Sequence, residues 1–294
     1  MIPPTPSTAA FEWTQVDWSR VTRGVFLIEQ TLRYDYPVPI TDLRHRLMIV
    51  PPEHFGDQRR LDHRLLVSLD SEIQTSEDEF GNMVIDLQLD RVESTIEFDC
   101  MTSVERLAVT PHLVDGHWLS DPRLLSPSAL TQPSPALVRA ATSLTATAAL
   151  DLTLVEAINQ WVHQAMGYEA GVTGVSTNAA VALDLARGVC QDFAHVMLAM
   201  CRIAGLPCRY VSGHLLGEGS SHAWVEVLLP AATSSGSAEV FAFDPTHGCR
   251  AGLNHITIAV GRDYADVPPT SGVFESDCGG VLTTRKRVTV TDLA

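Results

Sequence analysis

The chain has no run of lysine or arginine longer than Arg285-Lys286-Arg287, no C-x-x-C pair, no H-E-x-x-H motif, and no stretch near the ~20 apolar residues that a membrane span needs. Each absence excludes something. Basic residues number 20 against 35 acidic ones, for a net charge of −15, so a nucleic-acid backbone would be repelled with no basic patch to offset it. Without paired cysteines or a two-histidine helix motif, the usual spacings of structural and catalytic zinc are missing. The six cysteines, at positions 100, 190, 201, 208, 249 and 278, are too sparse for a disulfide framework, and a reducing cytoplasm fits them best. Residues 1–25 carry Pro3, Pro4, Glu12 and Asp17 but no basic start followed by an apolar segment, so no signal peptide is expected. No internal repeat is visible.

What remains is a chain of 294 residues, 45% hydrophobic, long enough for one large domain or two ordinary ones. Two are expected. From about Gly24 to Leu107 partial apolar–polar alternation marks strands at Val25–Ile28, Arg46–Val50, His63–Leu69 and Met83–Leu89, with a turn over Asp78–Asn82. This half reads as an antiparallel β-sandwich. Pro111, Pro122, Pro127, Pro133 and Pro135 then mark an irregular connection, which sets the boundary between residues 1–120 and 121–294. Beyond it, Asp151 is placed to cap a helix reaching about Met166, with Leu154, Ile158, Trp161 and Ala165 on one face.

A second helix is expected from Cys190 to just before Gly205, its apolar stripe formed by Phe193, Met197, Met200 and Ala204. Cys190 thus falls in the first turn, where unpaired amides and the helix dipole favour an anion. A nucleophilic cysteine acts as the thiolate, and a free thiol titrates near ~8.5, so a strong imidazole partner is needed as well. His222 opens a strand on which His222, Trp224 and Glu226 share a face. A second strand, Val240–Asp244, ends at Pro245 and completes a hairpin that can bring Asp244 beside His222. Thiol, imidazole and carboxylate in this order suggest thiol chemistry: the imidazole accepts or holds the thiol proton and the carboxylate fixes the ring.

Four segments carry a family resemblance: Gly188-Val189-Cys190-Gln191-Asp192-Phe193-Ala194-His195, Gly205–Gly213, Ser221–Glu226 and Phe243–Thr246. Through them, and through Gly261–Pro269, the chain resembles the bacterial transglutaminase-like proteins of the papain-like cysteine peptidase class, and its β-rich first half resembles their N-terminal region. The resemblance implies an α+β protein, a β-sandwich followed by a papain-like catalytic domain whose cysteine-bearing helix packs on an antiparallel sheet. It also implies Cys190 as nucleophile, His222 as base and Asp244 as orienting acid, acting through a thioester on an amide of a peptide or protein. No cofactor and no metal enter that chemistry. Water as acceptor gives a peptidase or amidase, the leading expectation; an amine gives a transglutaminase.

Other readings stand beside this one. Asp192 and His195, three apart on the helix, are spaced to pair near Cys190, as a structural bond or as support for the site, and His195 is the rival base. His214 and His247 stand where the family pattern has other residues, and an imidazole near the site could change charge between about pH 5 and 8. Cys201, Cys208 and Trp161 read as core. A zinc site built from Cys190, His222 and Asp244, and a binding protein that keeps the fold without turnover, are the competing accounts.

Overall fold

The computed structural model describes residues 16–108 and 112–294. The expectations resting on Pro3, Pro4, Glu12 and Pro111 lie outside the described residues.

Two antiparallel sheets face each other across the first core. One runs in the order Val281–Leu293, Arg23–Asp35, Thr95–Leu107, Gln58–Val67, His54–Phe55; the other in the order Thr270–Glu275, Ile40–Leu47, Met83–Val92, Glu72–Glu77. Alternation explains the layering. Ile40, Leu43 and Leu47 point inward from one strand, Ile85 and Leu87 from its neighbour, and Leu32, Ile96 and Phe98 meet them from the opposite sheet. Each such side chain contributes roughly 1.5–3 kcal/mol when fully buried. The expected strand Arg46–Val50 lies too far along the chain: the observed strand runs Ile40–Leu47 and stops ahead of Pro51-Pro52, while Met48, Ile49 and Val50 stay buried beyond its end.

The second half is α+β. A sheet ordered Cys249–Arg250, Ser237–Asp244, His222–Pro230, Cys208–Leu215, His255–Gly261 carries the helix Cys190–Ile203 on one face. Met197, Leu198, Met200 and Cys201 of the helix share a core with Cys208, Tyr210, Val225 and Val227 of the sheet. Gly205, at φ +76°, ends the helix in a conformation that glycine adopts without strain. A neighbouring helix, Leu152–Ala165, starts where Asp151 accepts the Thr153 amide at 2.9 Å. It buries Leu154, Ile158 and Val162, with Trp161 packed partly exposed against the same core. The proline-rich connection is more ordered than its composition implies. Leu113–Asp115 adds a strand beside Ser237–Glu239, and Arg202 reaches across to the Leu124 carbonyl and the Thr131 hydroxyl. Among the described residues no helix is long and apolar enough to cross a membrane.

The division at residue 120 needs correction. Thr270–Glu275 and Val281–Leu293 lie far beyond it, yet they pair with Ile40–Leu47 and Arg23–Asp35 and complete both sandwich sheets. An exposed strand edge is costly to leave unpaired, and these returning strands cover two of them. The sandwich is therefore built from both ends of the described chain, with the α+β unit inserted between them.

Two side-chain amides bind the units together. Gln58 donates to the Thr257 carbonyl at 2.7 Å and accepts its amide at 3.0 Å; Asn82 does the same with Val260, at 2.7 Å in each direction. Both amides thus act as a surrogate strand along the outer edge of His255–Gly261. Asn82→Ala should leave the Val260 amide and carbonyl buried and unpaired, lowering unfolding free energy by about 2–4 kcal/mol in urea titrations. A loss below about 0.5 kcal/mol would show that the seam does not rely on this bond.

Candidate active site

Cys190 is the first residue of its helix, partly exposed, with Sγ 3.9 Å from the Ser221 carbonyl oxygen. The turn before the helix is held by Asp192. Its carboxylate accepts the Val189 amide at 2.8 Å and the Thr173 hydroxyl at 2.7 Å, and burial pushes its pKa up. Gly188 is required here, because a Cβ at that position would collide with the Asp192 side chain. The expected Asp192–His195 pair does not form. His195 is fully buried and its Nε2 accepts the Tyr264 amide at 3.3 Å, so each of the two polar groups ties the helix to a different segment.

His222 begins the central strand, opposite Gly213 in the neighbouring one. A side chain at Gly213 would strike the Trp224 ring and the Ile256 backbone, so only glycine lets the strands close beside the imidazole. His222 is buried and its Nε2 lies 2.7 Å from Asp244 Oδ2. The other ring nitrogen, Nδ1, faces Glu218 at 3.2 Å, and the Cys190 side chain is among the neighbours that raise the ring's pKa.

Asp244 has no solvent exposure. Oδ1 accepts the amides of Thr246 and His247 at 2.9 and 3.2 Å, while Oδ2 meets His222 and His247 at 2.7 Å and His255 at 3.2 Å. Burial alone would push this carboxyl up; the bonds from the imidazoles outweigh it and hold the pKa far below the usual carboxylate range. Burial likewise acts downward on His222, but the bonds to Asp244, Cys190 and Glu218 outweigh it, and the pKa is pushed up to about 12. His255 differs. Its Nδ1 accepts the Gly252 amide at 3.1 Å, which leaves Nε2 as the donor to Asp244 in the neutral ring, in keeping with a pKa that burial lowers.

The structure thus brings Cys190, His222 and Asp244 together and keeps His195 apart from them. Of the two departures from the family pattern, His214 is buried and pushed down to about 3, so it stays neutral between pH 5 and 8. His247 joins the site, half-exposed, with its pKa raised by the bond to Asp244. His255 and Glu218 join it too, and neither was legible: one opens an apolar strand, the other sits in a glycine-rich turn, and no local pattern points either at Asp244 or His222. Cys201 and Cys208 are core thiols with no exposure.

Two family models match the chain: a bacterial transglutaminase-like N-terminal region over residues 26–105 and a transglutaminase-like superfamily core over residues 138–237. The core match includes Cys190 and His222 and ends before Asp244. Among curated proteins, the chain is similar to an uncharacterized protein of Mycobacterium leprae, 38% identical over 130 residues, covering 41% of this chain and 44% of that one. An uncharacterized protein of Mycobacterium tuberculosis is 37% identical over 118 residues, 36% of this chain and 37% of that one. The chain spans less than half the length of these curated relatives. Among solved structures, "a Putative Cysteine Protease from Cytophaga hutchinsonii" has a TM-score of 0.74 at 22% identity, covering 92% of this chain and 91% of that one. That likeness shows a shared fold.

The histidines set how stability depends on pH. Burial holds His45 and His195 at about 4 and His214 at about 3. The unfolded chain therefore takes up protons below ~6.5 that the folded chain does not, and stability falls from there toward about pH 4, by up to about 1.4 kcal/mol per pH unit for each ring. His222 acts in the other direction. With its folded pKa raised, its contribution is fully present below ~6.5 and is lost as pH rises toward the folded value. Urea melts between about pH 4.5 and 8 should show a maximum near pH 6–7, and His222→Gln should flatten the alkaline side only. Stability that rises steadily with pH in both proteins would contradict this assignment.

Proposed function

Since the chain belongs to the bacterial transglutaminase-like proteins, joining that family's N-terminal region to a transglutaminase-like core, we propose that it is a cysteine enzyme that cleaves an amide of a peptide or protein through a Cys190 thioester. One observation carries the proposal: His222 is bonded at 2.7 Å to a fully buried Asp244, and Cys190, at a helix start, lies with its Sγ 3.9 Å from the carbonyl of Ser221, the residue before His222.

The steps follow from this arrangement. Cys190 Sγ, its proton held by His222, attacks the carbonyl carbon of the scissile amide. The oxygen of the tetrahedral intermediate takes the negative charge, and the amides at the very start of the helix, ahead of Asp192 and Phe193 whose amides bond the Val189 carbonyl, are the donors at hand. His222 passes its proton to the leaving amine, the C–N bond breaks, and the acyl group remains on sulfur. Water, deprotonated by the same ring, attacks the thioester and releases the acid and the thiol. Asp244 keeps the ring oriented and favours the imidazolium throughout. An amine arriving in place of water would give transamidation from the same intermediate.

The test is to incubate wild type and Cys190→Ala with a peptide-amide library, with and without a primary amine, and to sequence the products by mass spectrometry. Hydrolysed amides should accumulate with wild type and fall by at least about 10³-fold with Cys190→Ala. Amine adducts that replace hydrolysis would reassign the enzyme as a transglutaminase. Turnover unchanged in Cys190→Ala would refute the mechanism.

A further inference from the structure

Lys286 has no part in the acyl-transfer steps, yet its side chain ends beside the residues that perform them. It lies on Val281–Leu293, opposite Gln30 in the neighbouring strand, and shares that strand's inward face with Val288 and Val290, while Arg285 and Arg287 point to solvent. The two valines pack with Leu216, Ile256 and Ile258 of the inserted unit. Period two therefore asks for an apolar side chain at position 286 as well. A lysine stands there instead, in a junction lined by Met48, Ile49, His214, Ile258 and Pro269, and its amine donates to the Ser221 hydroxyl.

Among the described residues no carboxylate pairs with this ammonium, and Ser221 Oγ is its one hydrogen-bond partner. Neither polar neighbour answers the charge: Gln30 donates to the Ile49 carbonyl at 2.9 Å, and His214 is a neutral ring whose Nδ1 is buried without a partner. The space left in the junction is about 10 Å³, room for about one water, so it is no ligand site. A buried charge without a counter-charge lowers stability, and burial accordingly pulls this amine down to about 8, which leaves it charged at neutral pH. Methionine, similar in length and uncharged, would suit the fold better.

What the lysine holds is the peptide unit between thiol and base. The Ser221 carbonyl oxygen lies 3.9 Å from Cys190 Sγ, and the nitrogen of the same peptide belongs to His222, whose ring is bonded to Asp244 at 2.7 Å. The turn leading into it contains Gly217, at φ +92°, and Gly219, and so supplies little rigidity of its own. We propose that Lys286 is a positioning residue for the reaction: through the Ser221 hydroxyl it holds the Ser221–His222 peptide against Cys190, so that the returning strand of the sandwich completes the active site. Small displacements at such a place are costly, because the geometry of thiol and imidazole must hold to a fraction of an ångström. The proposal rests on Cys190 being the nucleophile and His222 its base.

The experiment compares the full chain with Lys286→Met, Ser221→Ala and the double variant. The rate of Cys190 alkylation by iodoacetamide is followed by peptide mass from about pH 4 to pH 9, and the urea midpoint of each protein is measured. In the parent the rate should hold well below the ~8.5 at which a free thiol titrates. Each single variant should raise the midpoint of the acid limb by about one pH unit, a tenfold loss of thiolate on that limb, and the double variant should raise it no further than either single one. Lys286→Met should unfold at the same urea concentration as the parent or a higher one, which separates positioning from structural support. An unchanged acid limb in either single variant, additive shifts in the double variant, or a lower urea midpoint in Lys286→Met overturns the proposal; Ser221→Ala, which removes one oxygen from a turn, decides it even if Lys286→Met fails to fold. A parent whose Cys190 follows the profile of a free thiol would instead overturn the acyl-transfer reading, and the positioning role with it.

Discussion

A carboxylate with no exposure to water must be compensated where it lies, and Asp244 is such a group. Taking an ionised carboxylate out of water costs several kcal/mol even after the protein relaxes, and removing one partner from a buried pair costs about 3–5 kcal/mol. Two backbone amides and three imidazoles meet this demand. Much of the architecture around the site follows from it. His222 is positioned by the strand that Gly213 allows to approach, His247 by the turn after Asp244, and His255 by the first residue of the outermost strand. The rings answer differently to the same carboxylate. His222 and His247 gain a raised pKa, while His255, for which burial outweighs the bond to Asp244, stays neutral and donates from a fixed tautomer.

The sandwich enters the site through that outermost strand. Gln58 and Asn82 bond the backbone of Thr257 and Val260, and Arg106 donates to the His255 carbonyl. An edge that would otherwise be open to another chain is thereby covered, and the residue supporting Asp244 from below is held from outside its own unit. Lys286 extends the link. It comes from the last sandwich strand, pairs with the Ser221 hydroxyl beside His222, and has its pKa lowered by burial to about 8. The two units therefore share one polar network.

The parts of this arrangement that are local in sequence could be read from it. The helix from Cys190 and the hairpin that joins His222 to Asp244 follow from 3.6- and 2-residue periodicities and from the glycine and proline that end them. Asp151 behaved as its position implied. The rest depends on contacts between distant residues. Arg23–Asp35 pairs with Val281–Leu293, more than two hundred residues away, and no pattern within either strand names the other. Asp192 and His195 have the right spacing to pair, but each found a better partner off the helix, in Thr173 and in the Tyr264 amide. Glu218 and His255 were invisible for the same reason: each is brought to the site by a turn or strand end whose direction is set by the tertiary fold, while His247 stood out only as a departure from the family pattern.

The central claim is that Asp244 holds His222 as an imidazolium against Cys190, and imidazole nitrogen NMR on protein carrying ¹⁵N-labelled histidine tests it most directly. With His222 assigned by substitution, both of its ring nitrogens should keep the shifts of a doubly protonated ring from about pH 5 to about pH 9, well past the ~6.5 of a free imidazole. A His222 signal that instead titrates near ~6.5 would show that the buried carboxylate does not control the ring, and the account built on it would not stand.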